Sequence, residues 1–165
     1  MRLFLYNYDV KGNWEITRDR EVFGVPHDNT GILTKAEKLC PGDIVLIHDS
    51  TFKTDFRLHG ACVIDGPMIV QSVPEDNSPW ENLLWCDEIS RNLRIYHFRF
   101  RVDITGAPRI EHKRFPWELL DRVPAIGTKG QRIRGKNAWS KKWRGNLLVA
   151  EPEVAAMCEL LGLKW

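Results

Sequence analysis

The chain has 165 residues, of which 43% are hydrophobic and 28% charged, and its formal net charge is only +2. Those values exclude a disordered or low-complexity protein and fit one domain, residues 1–165, folded around its own core. No apolar stretch approaches the ~20 residues of a membrane span. Residues 1–6 give way at once to polar ones, too short an apolar run for a secretory signal, so a cytoplasmic protein is expected.

Residues 2–6 read as a largely buried first strand. Residues 7–13 read as loop, with Lys11-Gly12-Asn13 as a turn before Trp14. Residues 21–25 form a short strand or extended piece that Pro26 ends. Thr34 as a cap with Glu37 three residues on predicts a short helix over 34–39. Pro41-Gly42-Asp43 is a turn, and Ile44-Val45-Leu46-Ile47 is the strongest buried strand in the sequence. Residues 58–64 form a second central strand, whose small Gly60 and Ala61 suit close approach of another backbone or a ligand. Residues 68–73 make a third strand.

A long polar loop, roughly 74–92, carries Trp80 and Trp85. Loops of that length inside a compact domain are usually functional or mobile. Its acids Glu75, Asp76, Glu81, Asp87 and Glu88 read as solvated. Residues 94–104 alternate, with Tyr96, Phe98, Phe100 and Val102 on one face and Ile95, His97, Arg99 and Arg101 on the other. His97, beside the arginines, reads as a surface or nucleic-acid residue. Phe115-Pro116-Trp117 starts a short helix, with Trp117 in the core. Residues 127–146 are loop-like and basic, 147–149 are a last strand, and 152–161 are a helix stopped by Gly162. Strands at turn-separated intervals with short helices between them imply an α+β fold: a small, partly open β-barrel with short flanking helices.

Charge is segregated along the chain. Between positions 129 and 144 stand Lys129, Arg132, Arg134, Lys136, Lys141, Lys142 and Arg144, with no acid, with Gly130 and Gly135, and with Trp139 and Trp143 interleaved. Cations of this density neutralise phosphates and release counterions, and interleaved aromatics stack on bases. A near-neutral protein with such a segment is expected to contact nucleic-acid backbone. Seven tryptophans exceed what a core of this size needs. Trp14, Phe23, Trp80 and Trp85 are therefore candidate walls of a base pocket, with Asn7, Asp49 and Ser50 as groups able to read a base edge.

Catalytic and metal chemistry find little support. His48-Asp49-Ser50 holds triad residue types, but neighbours on a strand point to opposite faces. The GxSxG elbow and the phosphate-cradling GxxxxGK[ST] loop are absent. Cys40, Cys62, Cys86 and Cys158 form no CxxC knuckle, and His27, His59, His97 and His112 have no metal-ligand spacing. Cys62 and Cys158 read as small buried hydrophobes. No catalytic residue, metal or cofactor is expected.

The order of the pieces resembles EVE domains of the PUA/YTH group of modified-base readers. The resemblance rests on Phe4 to Asn7, on Val22-Phe23-Gly24-Val25, on Pro41-Gly42-Asp43 leading through Ile44 to Ser50, and on Leu58 to Val63. Tyr96 to Val102, Trp143 to Leu148 and Glu151-Pro152-Glu153 complete it over most of the chain. It implies non-catalytic recognition of a modified, methylated base in double-stranded DNA, flipped into an aromatic pocket. It places Phe23 at the family's cage position, where many relatives have Trp, and Trp80 or Trp85 in the loop of a second wall. It also implies a module joined to, or paired with, a GTPase or nuclease of a modification-dependent restriction system. A PUA-like module for RNA is the alternative.

Overall fold

The computed structural model describes residues 3–7, 12–26, 33–34, 36–49, 55–71, 82–110, 113–116 and 148–149. The described elements in chain order are β1 (Leu3–Asn7), α1 (Asn13–Arg20), β2 (Val22–Val25), β3 (Ile44–Asp49), β4 (Asp55–Ile64), β5 (Ile69–Val70), α2 (Cys86–Arg91), β6 (Phe98–Asp103), β7 (Lys113–Pro116) and β8 (Leu148–Val149).

The strands form one mixed sheet in the order β2-β6-β4-β3-β1-β8, with β5 beside β6 and β7 beside β4. β1 runs parallel to β3, and the other described pairs are antiparallel. The described pairings do not join β2 to β8, so the sheet is open at those ends. It is also strongly curved. β1 and β2 are separated by three strands in that order, yet Tyr6 on β1 meets Phe23 on β2 edge to face, with ring centroids 5.0 Å apart. Between them the sheet wraps a core that includes Phe4, Tyr6, Phe23, Val25, Val45, Ile47, Cys62, Ile64, Phe100 and Val102. Burial pushes the Cys62 thiol far above its ordinary pKa, as for an inert core cysteine.

Local chemistry explains the edges of these elements. Gly42 takes a φ of +87°, which glycine adopts without strain. Asp43 closes the same turn by accepting the Cys40 N–H at 2.9 Å. β3 is buried on both faces, Val45 and Ile47 toward the core and Leu46 and His48 away from it, as its unbroken apolar run requires.

Four sequence expectations are corrected. A helix, α1, starts at Asn13, the end of the expected turn, and runs to Arg20 through residues that carried no apolar helix signal. It lacks an apolar stripe, and its buried residues are Asn13, Trp14 and Thr17, so tertiary contacts rather than patterning hold it. Phe115 and Pro116 end strand β7, paired with Asp55 and Phe56, and do not start a helix. The strand expected over 94–104 begins only at Phe98. Residues 33, 34 and 36 are helical and a turn follows at Glu37, well short of a helix over 34–39. The expected helix at 152–161 and Trp117 lie outside the described residues.

Candidate functional site

β4 is the longest strand, and its two halves have different neighbours on the side away from β3. Residues 55–58 pair with β7, and Val63 and Ile64 pair with β6. Between them, the described ladders leave His59 to Cys62 facing a gap in the sheet. The β3 register slips at the same place: Ile47 faces Gly60 and His48 faces Leu58, which makes His59 the extra residue of a bulge. Bulges re-aim side chains and bend the strand that carries them.

A cleft of about 500 Å³ opens at this gap. Small-ligand sites commonly span ~300–1,000 Å³. Its walls are His59, Gly60 and Ala61 from β4, Trp14 and Arg18 from α1, and the segment from Ile104 to Ile110 that leaves β6. Gly60 is the residue that lets α1 reach the strand, because a Cβ there would overlap the Trp14 indole. The close approach expected at Gly60 is thus made by a tryptophan of the chain itself. Trp14 lines the cleft with only 5% of its surface accessible.

Among the described residues the cleft is lined by cations and by no carboxylate: Arg18 and Arg109 stand on separate elements, with His59 between them in the chain. Asp19 accepts from Arg18 Nε at 2.8 Å, and that hydrogen bond, ahead of charge attraction, raises the Arg18 pKa further. The bond leaves the two Nη groups outside it. The far wall is stiffened by Asp103, which accepts from Thr105 N–H at 2.8 Å, Thr105 Oγ1 at 2.7 Å and Gly106 N–H at 3.1 Å. The Thr105 hydroxyl, then the backbone donors, hold the Asp103 carboxyl below its ordinary value.

The other expected walls have a different role. Phe23 is fully buried against Tyr6 and Phe100. Trp85 is fully buried, with its ring over Gly24 and 4.6 Å from the Tyr96 ring centroid, and its Nε1–H donates to Thr17 Oγ1 at 3.2 Å. Both are core residues that offer no open face to a ligand. Asn7 and Asp49 end the neighbouring strands β1 and β3, and Asn7 pairs with His48, which pairs with Leu58 at the bulge. That backbone row puts Asn7 two strand spacings, ~10 Å, from β4. The Asn7 and Asp49 side chains lie outside the described residues, as do Ser50, Trp80, Lys129, Arg132, Arg134, Lys136, Lys141, Lys142 and Arg144.

Two further expectations change. Glu88 is not solvated: it is fully buried at the start of α2. Its carboxylate accepts from the N–H groups of Leu84, Ile95 and Tyr96 and pairs with Arg99 Nη2 at 3.3 Å. His97 and Arg99 are correspondingly buried rather than surface residues. Burial pulls the Arg99 pKa down while Glu88 pulls it up. Arg99 also lies 5.0 Å above the Trp85 ring. Asp87 accepts from Tyr96 OH at 3.0 Å and from Asn13 Nδ2 at 3.2 Å, and so ties α2 to α1.

Among the described residues no group of His, Cys, Asp and Glu forms a metal-binding cluster, and no helix is long and apolar enough to cross a membrane. Neither a family model nor a curated protein matches the chain.

The sequence did not single out Arg18, Arg109 or the segment after β6. The available signal was Gly60-Ala61 in a strand, which marks close approach, but not what approaches.

Proposed function

We propose that the protein is a non-catalytic nucleic-acid-binding module that takes a modified base of DNA, flipped out of its stack, into the cleft beside Trp14. The supporting observation is the gap in the sheet at Gly60, lined by an indole and by arginines from two elements with no carboxylate among the described lining residues. A flipped base needs a flat apolar contact, room and polar groups at its rim. The curved sheet is, on this reading, the partly open barrel of a PUA/EVE-like domain. The basic segment 129–144 then follows the phosphate backbone and supplies the sequence-independent part of the affinity. A module of this kind acts through a GTPase or nuclease joined to it or paired with it.

The pocket proposed here differs from the one expected from sequence, because Trp14 alone of the described aromatic candidates reaches an open cleft. Binding to matched duplexes that are unmodified or carry N6-methyladenine, 5-methylcytosine or 5-hydroxymethylcytosine tests the reading at one stated salt concentration. A tenfold preference for one mark, ~1.4 kcal/mol, that Gly60→Ala weakens by displacing Trp14 is the expected result. Equal binding to all four duplexes would sink the modified-base reading. Tighter binding of matched RNA would move the protein to the RNA-binding class.

A further inference from the structure

The cleft is larger than a stacked ring alone requires, and its cations have no obvious task in reading a base edge. A methylated or hydroxymethylated base is neutral, so reading it calls for apolar contact and directed hydrogen bonds rather than two guanidinium groups. Arg18 and Arg109 approach the same cleft from α1 and from the segment after β6. On β6, by contrast, Arg99 is matched by a buried carboxylate, Glu88. No carboxylate is present among the described residues lining the cleft, and Asp19 engages only the Nε of Arg18. Guanidinium groups are suited to phosphate oxygens because their planar forks donate two parallel hydrogen bonds.

We infer that the cleft binds a nucleotide as one unit, with the base against the Trp14 side and its own 5′-phosphate held by Arg18 and Arg109. The inference rests on the base-binding reading above and adds the ligand class of the site: a phosphate ester of a nucleoside. It separates this phosphate from those that the basic segment follows. One phosphate belongs to the flipped nucleotide and is seated at the cleft, whereas the others are held in a manner indifferent to flipping. Binding a whole nucleotide also explains how so little accessible indole suffices: charge-assisted hydrogen bonds fix the ligand where stacking area is small.

The test uses the full chain and two pairs of small probes: deoxyadenosine with its 5′-monophosphate, and the N6-methyl forms of both. Titration is followed by the indole N–H signals and the arginine Nε–H signals. The monophosphates are expected to bind at least tenfold more tightly than the nucleosides. Arg18→Ala and Arg109→Ala should each erase most of that difference while leaving nucleoside binding intact. Nucleoside and nucleotide binding equally would overturn the inference, and so would a phosphate preference that survives in the double variant. An acidic peptide displacing the monophosphate at equal concentration would also overturn it, in favour of a carboxylate site.

The two readings fail separately. Selective binding of a modified duplex without any monophosphate preference removes the phosphate seat and keeps the base reader. A monophosphate preference without discrimination among duplexes does the reverse.

Discussion

Two regions packed against α1 use the same residue types to opposite ends. In one, Trp85 lies beneath Arg99, and Arg99 is paired with Glu88 inside the fold. In the other, Trp14 lies beneath Gly60 with Arg18 and Arg109 around a cleft that no carboxylate of the described residues lines. An arginine beside a tryptophan is therefore not in itself a nucleic-acid signal. What separates the two regions is the carboxylate. Where a buried acid satisfies the guanidinium, the cluster is a structural joint holding α1, α2 and β6 together. Around the cleft Arg18 meets Asp19 through Nε alone, and the proposal above gives its other donors to a ligand.

Removing the carboxylate tests that contrast most severely. Glu88→Ala leaves three backbone N–H groups and Arg99 Nη2 without their acceptor inside the protein. Breaking a buried pair in this way costs ~3–5 kcal/mol. Urea denaturation should show a loss of that size, whereas a change below ~1 kcal/mol would mean that water reaches the site and the joint is not structural.

Gly60→Ala probes the other region with a smaller expected effect. The added methyl would overlap Trp14, and overpacking of this kind costs ~1–3 kcal/mol. The Trp14 indole signal should shift and ligand binding at the cleft should fall, with the Trp85 signal unmoved. A stable variant with both indole signals unchanged would show that Gly60 does not position Trp14.

Acidification should give the smallest effect. The Asp103 carboxyl is held below its ordinary value, so the folded state binds its proton less readily than the unfolded chain does. Its contribution is present above the unfolded value of ~3.9 and is lost as the pH falls through the lower folded value. The Thr105 and Gly106 amide signals should stay constant between pH 7 and 5 and move together below ~4. Movement already at pH 6 would assign the change to another group, and Asp103→Asn should abolish the acid transition.

Much of the strand framework was legible because strands declare themselves locally. The unbroken run at Ile44 to Ile47, the Pro41-Gly42-Asp43 turn before it and the Val22 to Val25 strand stopped by Pro26 each carry their signal within a few residues. Leu148 and Val149 also form a strand where one was expected. Helix α1 was hidden because its buried face is Asn13, Trp14 and Thr17, which no apolar periodicity reports. Its weak marks were Glu15 in the first turn and Arg18 and Arg20 in the last, in the sense the helix dipole favours.

Sequence by itself determined which residues were apolar, where the chain had to turn and that cations were concentrated in one segment. It could not decide which tryptophan would be covered, because burial depends on what the rest of the chain brings alongside. Trp85 is closed off by Gly24, Tyr96 and Arg99, all distant from it or on another element. Trp14 reaches a cleft only because β6 and β7 pair with opposite ends of β4. Nor could it decide that Glu88 would be buried and Arg109 exposed. A charged side chain is driven toward water unless a partner meets it inside, and that partner is supplied by tertiary structure alone.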